Sequence, residues 1–564
     1  MQTPDTHQKV ISGIGVSPGR ASGVVVGMPD SVPEPPPGQR LGAGEDVETA
    51  VARIAAASME VQDSLERAAA RARGEAREVL QTTALMAADP TLVTNAQDRV
   101  RELGLDPACA VWQATGTVVD QLTALGGYMA ERAGDVMDVR NRIVAVLTGR
   151  PAPGVPDPGH PFVLLARDLA PADTATLDPE HVLAIVLVEG GPTSHTAILA
   201  RSLGIPAVVG LGDGTGLVPG AHVLVDGVTG SVTLDPTDAQ VTRAAELSAR
   251  VRTFDGSGRT RDGHPVPLLA NIARPDGAQT AADLGAEGVG LFRTEFCFLD
   301  REDAPSIAEQ VEQYRQVLHA FPGKKVVVRT LDAGADKPLP FLTNKDEPNP
   351  ALGIRGLRTA VRNPQVLDDQ LTAIAQATAA EDADVWVMAP MVSTPAETRT
   401  FVERCAAHGI STAGVMVEVP SAALQSGSIL AHAAFASIGT NDLTQYAMAA
   451  DRMLGDLAVL STPWQPAVLQ LVAATCDGGT AHGKPVGVCG EAAADPALAP
   501  VLVGLGVATL SMTARALPDV AAVLATVTLD ECRQLARTAL AADGPEEARD
   551  AVRAELGILV DLGL

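Results

Sequence analysis

Residues 325–332 read "KVVVRTLD", a run of branched apolar residues that ends in polar ones. Such a short, bounded run is typical of a strand that is buried on both faces of a parallel sheet. Seven more runs of this kind lie after residue 260: "VPLLANI" (266–272), "GVGLFRTEF" (288–296), "VWVMAPM" (385–391), "GVMVEVPS" (414–421), "FASIGTND" (435–442), "PVGVCGEA" (485–492) and "ATLSMTAR" (508–515). Helical segments alternate with the eight runs, so residues 260–564 are predicted to form a (β/α)8 TIM-type barrel.

Five of these runs end in, or lead straight into, a charged or reactive residue: Arg293, Arg329, Glu418, Asp442 and Cys489. For any one of them, a surface ion pair or a helix cap is the simpler explanation. Barrels of this class carry their chemistry at the carboxyl ends of the strands. Five such residues on one rim therefore predict a functional site.

The first part of the chain is predicted to be an α/β domain with a helical insertion. The proline-rich stretches "SVPEPPPG" (31–38) and "PAPGVPDPGHP" (151–161) bracket a region with helical periodicity. Short strand-like runs precede and follow the brackets. Residues 1–30 and 151–237 are therefore assigned to the α/β domain, residues 31–150 to an inserted helical bundle, and residues 238–259 to a linker helix and hinge. The linker helix is expected to cover "DAQVTRAAELSARVRTF" (238–254).

His195 lies in "GGPTSHTAILARSLGIP" (190–206), after an apolar run that predicts a strand. Thr193 or Ser194 can cap a helix there, which places His195 in the first helical turn. The positive end of the helix dipole keeps an imidazole neutral and would stabilise an attached anionic phosphoryl group. These residues fit a nucleophile and a structural histidine equally well. A metal ligand is the weakest reading, because no second His or Cys lies at ligand spacing.

The composition excludes several classes of function. The formal charge of the 564 residues is −26, and no basic stripe of the kind that binds nucleic acid is present. A local group of arginines can still hold an anion, since more distant charges are screened. No apolar run is long enough to span a bilayer, and no signal-peptide core is found. The six cysteines form no CxxC pair, which favours a reducing, cytoplasmic location over a disulfide framework or a zinc site.

Motifs along essentially the whole chain resemble Enzyme I of the bacterial phosphoenolpyruvate-dependent sugar phosphotransferase system. The segment around His195 is similar to the phosphohistidine motif of that family. Further similar segments follow in the family's order: "GLFRTEFCFLDRE", "VVVRTLDAGADK", "NPALGIRGLR", "VMVEVPSAA", "SIGTNDLTQYAMAADR" and "GVCGEAAAD". The resemblance implies a swivelling phosphohistidine domain, an inserted helical domain and a barrel that binds phosphoenolpyruvate.

The resemblance also implies the role of each site residue. His195 would be phosphorylated on Nε2, and Cys489 would protonate the enolate carbon to give pyruvate. The substrate would be bound by Arg293 and Arg329 at its phosphate, with Arg355 close by, and by Asn441 and Arg452. Glu418 and Asp442 would carry Mg2+.

The partners implied are the small carrier protein HPr, which would dock on the helical bundle, and a second copy of the chain, which would form a homodimer through the barrel. A rigid-body swing would bring His195 to the barrel and then to the helical domain. Pro192 departs from the family, since many members carry a basic residue there. This puts contacts around the phosphohistidine in doubt and leaves the nucleophile in place.

Two other functions remain open from the residues. A phosphoenolpyruvate synthase or pyruvate phosphate dikinase shares the histidine domain and the barrel, but needs a large ATP-grasp domain. The roughly 110 residues of helical insertion are too few and too helical for it. A non-catalytic sensor of phosphoenolpyruvate would not need His195 and Cys489.

Overall fold

The computed structural model describes residues 9–29, 32–42, 44–71, 75–125, 127–151, 153–167, 169, 177–190, 195–212, 216–248, 252–299, 301–334, 339–343, 347, 349–451, 457 and 459–564. By internal packing the chain divides into two units, Met1–Glu246 and Leu247–Leu564.

The first unit is built on an eight-stranded sheet. Its strands are β1 (Val10–Ser12), β2 (Ile14–Ser17), β3 (Arg20–Gly27), β4 (Phe162–Ala166), β5 (Val182–Leu187), β6 (Ala207–Val209), β7 (His222–Asp226) and β8 (Ser231–Leu234). They are arranged in the order β1-β8-β7-β3-β4-β5-β6-β2. The central strands β3 to β6 run parallel, and the flanking pairs are antiparallel.

Five helices lie between β3 and β4. They are α1 (Val47–Arg71), α2 (Glu75–Ala87), α3 (Pro90–Leu103), α4 (Pro107–Leu125) and α5 (Gly127–Thr148). Their core is separate from that of the sheet and includes Ile54, Val111 and Ile143. Because β3 and β4 pair directly, with Val25 opposite Val163, the chain leaves the sheet, forms the bundle and returns to the adjacent position. The predicted α/β fold with an inserted helical bundle is confirmed.

The helix that carries His195, α6 (His195–Leu203), connects β5 to β6. Ala197 and Ala200 are buried in the core on one face of the sheet. The side chain of His195, and residues 191–194 with Pro192 and the predicted capping residues, lie outside the description.

The linker helix is shorter than expected. In the structure α7 covers Asp238–Ser248, residues 249–251 lie outside the description, and residues 252–255 are not helical. The prediction of a helix to residue 254 is therefore wrong at its carboxyl end. The physical reason is tertiary: Arg252 forms an ion pair with Asp519, and Phe254 packs against the core of the second unit.

The second unit is a closed barrel of eight parallel strands, which confirms the predicted fold. The strands are β9 (Leu268–Ile272), β10 (Gly288–Arg293), β11 (Lys325–Arg329), β12 (Asp384–Ala389), β13 (Ala413–Val417), β14 (Ala436–Ile438), β15 (Val486–Val488) and β16 (Thr509–Met512). Each of the eight predicted runs overlaps one of them, and β12 and β13 begin one residue before their runs. Since β16 pairs with β9, the barrel leaves no sheet edge.

Helices surround the barrel, and their apolar faces cover its outer surface. They are α8 (Gly277–Asp283), α9 (Ile307–His319), α10 (Pro364–Ala380), α11 (Pro395–Ala407), α12 (Pro420–Leu424), α13 (Ser426–Leu430), α14 (Thr440–Met448), α15 (Pro466–His482), α16 (Leu498–Gly504), α17 (Leu517–Leu524), α18 (Leu529–Ala541), α19 (Pro545–Glu555) and α20 (Ile558–Leu562). A smaller cluster with Leu291, Val327, Met388 and Met416 fills the interior. Among the described helices of both units, none combines the length and apolar character that crossing a membrane requires.

Candidate active site

The carboxyl ends of the barrel strands bring five of the predicted site residues to one rim. Arg293 and Arg329 are the last residues of β10 and β11, and Glu418 follows β13 directly. Asp442 lies in the first turn of α14, which begins just after β14, and Cys489 follows β15. Because all eight strands are parallel, their carboxyl ends meet on the same side of the barrel.

Arg329 is the centre of a buried ionic network, and only 5 % of the residue is exposed. Its Nη2 donates to Glu295 Oε1 at 2.8 Å, and its Nη1 lies 3.2 Å from Asp332 Oδ2 and 3.7 Å from Glu418 Oε1. Burial by itself lowers the pKa of Arg329, but the three carboxylates outweigh it and raise the pKa. The Nε of Arg329 is buried and has no hydrogen-bond partner among the described residues.

Arg355 links two carboxylates that are distant in sequence. Its Nε and Nη2 donate to Asp332 at 3.1 and 3.0 Å, and its Nη1 donates to Asp442 Oδ1 at 3.0 Å. The next residue, Gly356, has a φ of 58°, in the left-handed region that favours glycine. A side chain there would press on Met391, 3.0 Å away, so glycine allows the Arg355 segment to pack closely against the end of β12.

Glu418 is 1 % exposed. Its Oε2 accepts a hydrogen bond from the backbone N of Met391 at 2.8 Å. Met391 has a φ of 59°, which is unusual for a residue with a side chain and is found more often at functional sites. Burial, together with the negative charges of Asp332 and Asp442, raises the pKa of Glu418 to about 8. We call Glu295, Arg329, Asp332, Arg355, Glu418 and Asp442 the rim cluster.

Cys489 lies beside the rim cluster and is 2 % exposed. Its thiol donates to the carbonyl of Ile438, with 3.5 Å between sulfur and oxygen. Burial raises the pKa of Cys489 to about 11, although a hydrogen bond from Ser437 and the charges of Arg329 and Arg293 oppose the rise. The group is therefore a thiol at neutral pH and can donate a proton.

Asn441, Arg293 and Arg452 were also predicted to bind the substrate. Asn441 Oδ1 accepts a hydrogen bond from the backbone N of Glu491 at 3.3 Å, which joins α14 to the segment after Cys489. Arg293 is exposed and close enough to influence the Cys489 thiol. Arg452 lies outside the described residues.

Sequence reasoning missed two members of the rim cluster, Glu295 and Asp332. Glu295 also accepts from the backbone N of Asp332 at 3.0 Å, which ties the ends of β10 and β11 together. Both residues stand within three positions of a strand end, in segments that were already quoted for their arginines. A search for every charged residue just past a strand end would have found them.

Buried polar side chains behind the rim hold these strand ends in place. Gln370 on α10 is fully buried. It donates to Thr294 Oγ1 at 3.0 Å and accepts from the backbone N of Leu331 at 2.9 Å. Thr294 in turn donates to the carbonyl of Arg329 at 2.8 Å. These bonds fix the backbone that carries Arg329 and Asp332.

We expect the Arg355→Met variant to lose about 3–5 kcal/mol of barrel stability, because breaking a buried ion pair leaves its partners uncompensated. The shift in the barrel's urea unfolding transition measures this loss. Arg533→Met is the matched control, since Arg533 pairs with Asp530 on the surface and both side chains are more than half exposed. An equal shift in both variants would contradict the structural role of Arg355.

Three families of phosphoenolpyruvate (PEP)-utilising enzymes match successive parts of the chain. Residues 12–132 match the family described as PEP-utilising enzyme, N-terminal. Residues 158–230 match the mobile domain of these enzymes, and residues 248–529, half of the chain, match their PEP-binding domain. The rim cluster falls within the last of these matches.

Curated relatives match nearly the whole of this chain. A phosphoenolpyruvate-protein phosphotransferase of Streptomyces coelicolor is 51 % identical over 97 % of this chain and 99 % of its own. One of Haloferax volcanii is 40 % identical over 96 % of this chain and 99 % of its own. A multiphosphoryl transfer protein of Xanthomonas campestris is 38 % identical and covers 97 % of this chain with 67 % of its own. The chain belongs to the phosphoenolpyruvate-protein phosphotransferase (Enzyme I) family.

Proposed function

We propose that this chain transfers the phosphoryl group of phosphoenolpyruvate to Nε2 of His195, releases pyruvate, and passes the group to the carrier protein HPr as the first step of sugar uptake. The observation that carries the proposal is the rim cluster. It combines a buried guanidinium that retains an unpartnered N–H with an adjacent thiol that stays protonated.

Arg293 and Arg329 are proposed to bind the phosphate. A buried N–H without a partner is costly, and Arg329 Nε is such a group among the described residues. The Thr440 hydroxyl, at the start of α14, is also buried without a hydrogen-bond partner among the described residues. Phosphate oxygens are the acceptors that a guanidinium fork binds best. Arg355 is engaged with Asp332 and Asp442, so we assign it to orienting those carboxylates, while Asn441 and Arg452 hold the rest of the substrate.

The donor set at the rim fits Mg2+. In the rim cluster four carboxyl groups surround two guanidinium groups, and burial together with the neighbouring negative charges raises the pKa of Glu418. Glu418 and Asp442 would hold the ion. The described residues contain no group of three or more His, Cys, Asp or Glu side chains that could hold a metal, so substrate oxygens and water would complete the octahedral set that Mg2+ prefers. When bound, the ion neutralises charge on the phosphoryl group and the enolate.

Cys489 is proposed to be the general acid. Loss of the phosphoryl group leaves an enolate, whose carbon takes the thiol proton to give pyruvate. Because the pKa of Cys489 is raised to about 11, the thiol keeps its proton until the more basic enolate carbon forms. Its burial beside Arg329 keeps bulk water away from that step.

His195 is proposed to accept the phosphoryl group. Its position at the amino-terminal end of α6 favours a neutral, nucleophilic imidazole and stabilises the phosphorylated product. Phosphoryl transfer depends mainly on positioning, so a rigid-body swing of the α/β domain (1–30 and 151–237) about the 238–259 segment must present His195 to the barrel (260–564). The boundary between the two packing units, after Glu246, supports a hinge there.

Two protein contacts belong to the proposal. HPr would dock on the helical bundle (31–150) in the cytoplasm. A second copy of the chain would bind through the barrel, which is supported by apolar side chains exposed on short helices that follow the carboxyl ends of its strands. These are Leu352, Val361 and Leu424, which are 70 %, 85 % and 73 % exposed.

Labelled phosphoenolpyruvate tests the function directly. With Mg2+ and no ATP, we expect the wild-type chain to release pyruvate, to acquire an acid-labile phosphoryl label, and to pass the label to HPr. A requirement for ATP or AMP would instead indicate a synthase or a dikinase. Binding of phosphoenolpyruvate without label or pyruvate would indicate a sensor, and either result would overturn the proposal.

A further inference from the structure

A lysine and several hydroxyl side chains lie within the mostly apolar interior of the barrel beneath Cys489. Side chains alternate along a strand, so Lys325, Val327 and Arg329 of β11 all point inward, with Arg329 at the rim and Lys325 at the opposite end. The Nζ of Lys325 lies 3.7 Å from the ring centre of Trp386 and 5.6 Å from that of Phe435. Barrel interiors of this class are usually filled by bulky branched side chains, so an ammonium group in this position requires a reason.

A small cavity lies between Lys325 and the level of Cys489. Its walls include three hydroxyl side chains, those of Ser437, Thr509 and Ser511, together with Lys325. It reaches from Pro485, which is exposed at the amino-terminal end of the barrel, to Ser437 and Ser511, which are 6 % and 2 % exposed. Its volume of about 10 Å³ is room for roughly one water molecule, and the hydroxyl groups and the Lys325 amine of its walls offer that water hydrogen-bond partners.

Ser437 connects the cavity to the thiol. Its hydroxyl lies close enough to the Cys489 sulfur to stabilise the thiolate and so to oppose the rise in the pKa of Cys489. Asn271 anchors the same segment from the other side, because its Nδ2 donates to the carbonyl of Cys489 at 3.0 Å while its Oδ1 accepts from Ser511 Oγ at 2.5 Å. The sulfur therefore has a proton carrier on the side that faces away from the rim.

The proposed reaction requires Cys489 to regain a proton in every turnover. The inference therefore rests on the proposed function. Once the thiol has protonated the enolate carbon, Cys489 is a thiolate and must regain a proton before the next turnover. Pyruvate that had just received the proton would lie over the sulfur and block approach from the rim. A proton that arrives before the product leaves must come from the barrel interior.

We propose that Lys325, a water molecule in the cavity and the Ser437 hydroxyl deliver the proton that restores the Cys489 thiol. The Ser437 O–H bond breaks as the S–H bond forms, and the Ser437 oxygen takes a proton from the water. The water takes one from the Lys325 ammonium, and solvent at the amino-terminal end of the barrel reprotonates the amine. One proton moves along the chain, and no oxidant or reductant is involved.

The ionisation of Lys325 suits this role. Burial lowers its pKa to about 8, and the charge of Asp384 opposes this only in part. The other groups packed on the amine are the aromatic rings of Trp386 and Phe435. An ammonium whose pKa lies near the pH of the medium gives up and regains a proton readily. An ordinary lysine, whose pKa is higher, does not.

Exchange of solvent deuterium into the methyl group of pyruvate tests the route. The full-length chain is incubated in D2O with Mg2+, phosphoenolpyruvate and pyruvate, and deuterium in the methyl group is followed by NMR. Each reversal of the reaction moves a methyl proton to Cys489, and the exchange requires that proton to be replaced from solvent. We expect Ser437→Ala and Lys325→Met to slow the exchange about hundredfold, the lower end of the range for loss of a positioned proton-transfer group, with KM for phosphoenolpyruvate nearly unchanged.

Two further variants separate proton delivery from a structural effect. Ser437→Thr keeps the hydroxyl and should restore exchange. Lys324→Met removes the same charge from the adjacent, exposed position, where Nζ donates to the carbonyl of Ala286, and should leave exchange intact. Near wild-type exchange in both Ser437→Ala and Lys325→Met would overturn the route, as would equal slowing in Lys324→Met. Failure of the wild-type chain to make pyruvate or to take up label would refute the proposed function itself, which is a different result.

Discussion

The His195→Ala variant should take up no phosphoryl label from phosphoenolpyruvate and should pass none to HPr. Removal of the imidazole removes the atom that accepts phosphorus, and the rim cluster holds no second nucleophile that could replace it: its members are carboxylates and guanidinium groups engaged with one another. The loss should therefore be complete within the detection limit of the label. Acid-quenched gels of the labelled chain measure it.

Binding of phosphoenolpyruvate should survive this change, because His195 and the barrel belong to different packing units. Calorimetry with Mg2+ should give a Kd for His195→Ala within about twofold of the wild-type value, a difference of less than about 0.5 kcal/mol. His181→Ala is the matched control. His181 is in the same unit, about half exposed, and bonded to Asp178, so its loss should leave labelling intact. Label retained in His195→Ala would show that another residue is the acceptor.

The Cys489→Ala variant should form pyruvate about 10²- to 10⁴-fold more slowly, the range that a positioned general acid contributes. The guanidinium groups that bind the phosphate remain, so KM should change little and the loss should fall on kcat. Coupled assay of pyruvate release measures both constants. Methyl exchange of pyruvate in D2O should disappear as well, since both directions of the proton transfer use the same sulfur.

Cys405→Ala provides the control for loss of a buried thiol. Cys405 is fully buried on α11, and burial raises its pKa to about 12, yet it packs in the core between barrel and helices rather than at the rim. It should cost stability and leave kcat unchanged. A fall in kcat of less than about tenfold for Cys489→Ala, or an equal fall for Cys405→Ala, would remove Cys489 from the mechanism.

Most of the fold followed from local patterns. Each of the eight apolar runs after residue 260 overlaps a strand, because a run of branched apolar residues too short for a helix can bury both of its faces only inside a covered sheet. The helical insertion could be predicted equally well, since its apolar residues repeat at helical spacing between two proline-rich stretches. The linker helix was misjudged because its pattern continues past Ser248, whereas Arg252 and Phe254 belong to the second unit and form contacts within it.

By itself, the sequence determined the barrel, the inserted bundle and the rim on which Arg293, Arg329, Glu418, Asp442 and Cys489 stand, because strand direction alone decides which ends meet. Only the tertiary structure decided which charges pair. Arg355 lies in a segment with no regular pattern, yet its guanidinium reaches Asp332, 23 residues away, and Asp442, 87 residues away. The raised pKa values of Glu418 and Cys489 likewise arise from burial and from neighbours across the barrel. Such interactions depend on distances between atoms remote in the chain, and those distances exist only once the barrel has closed.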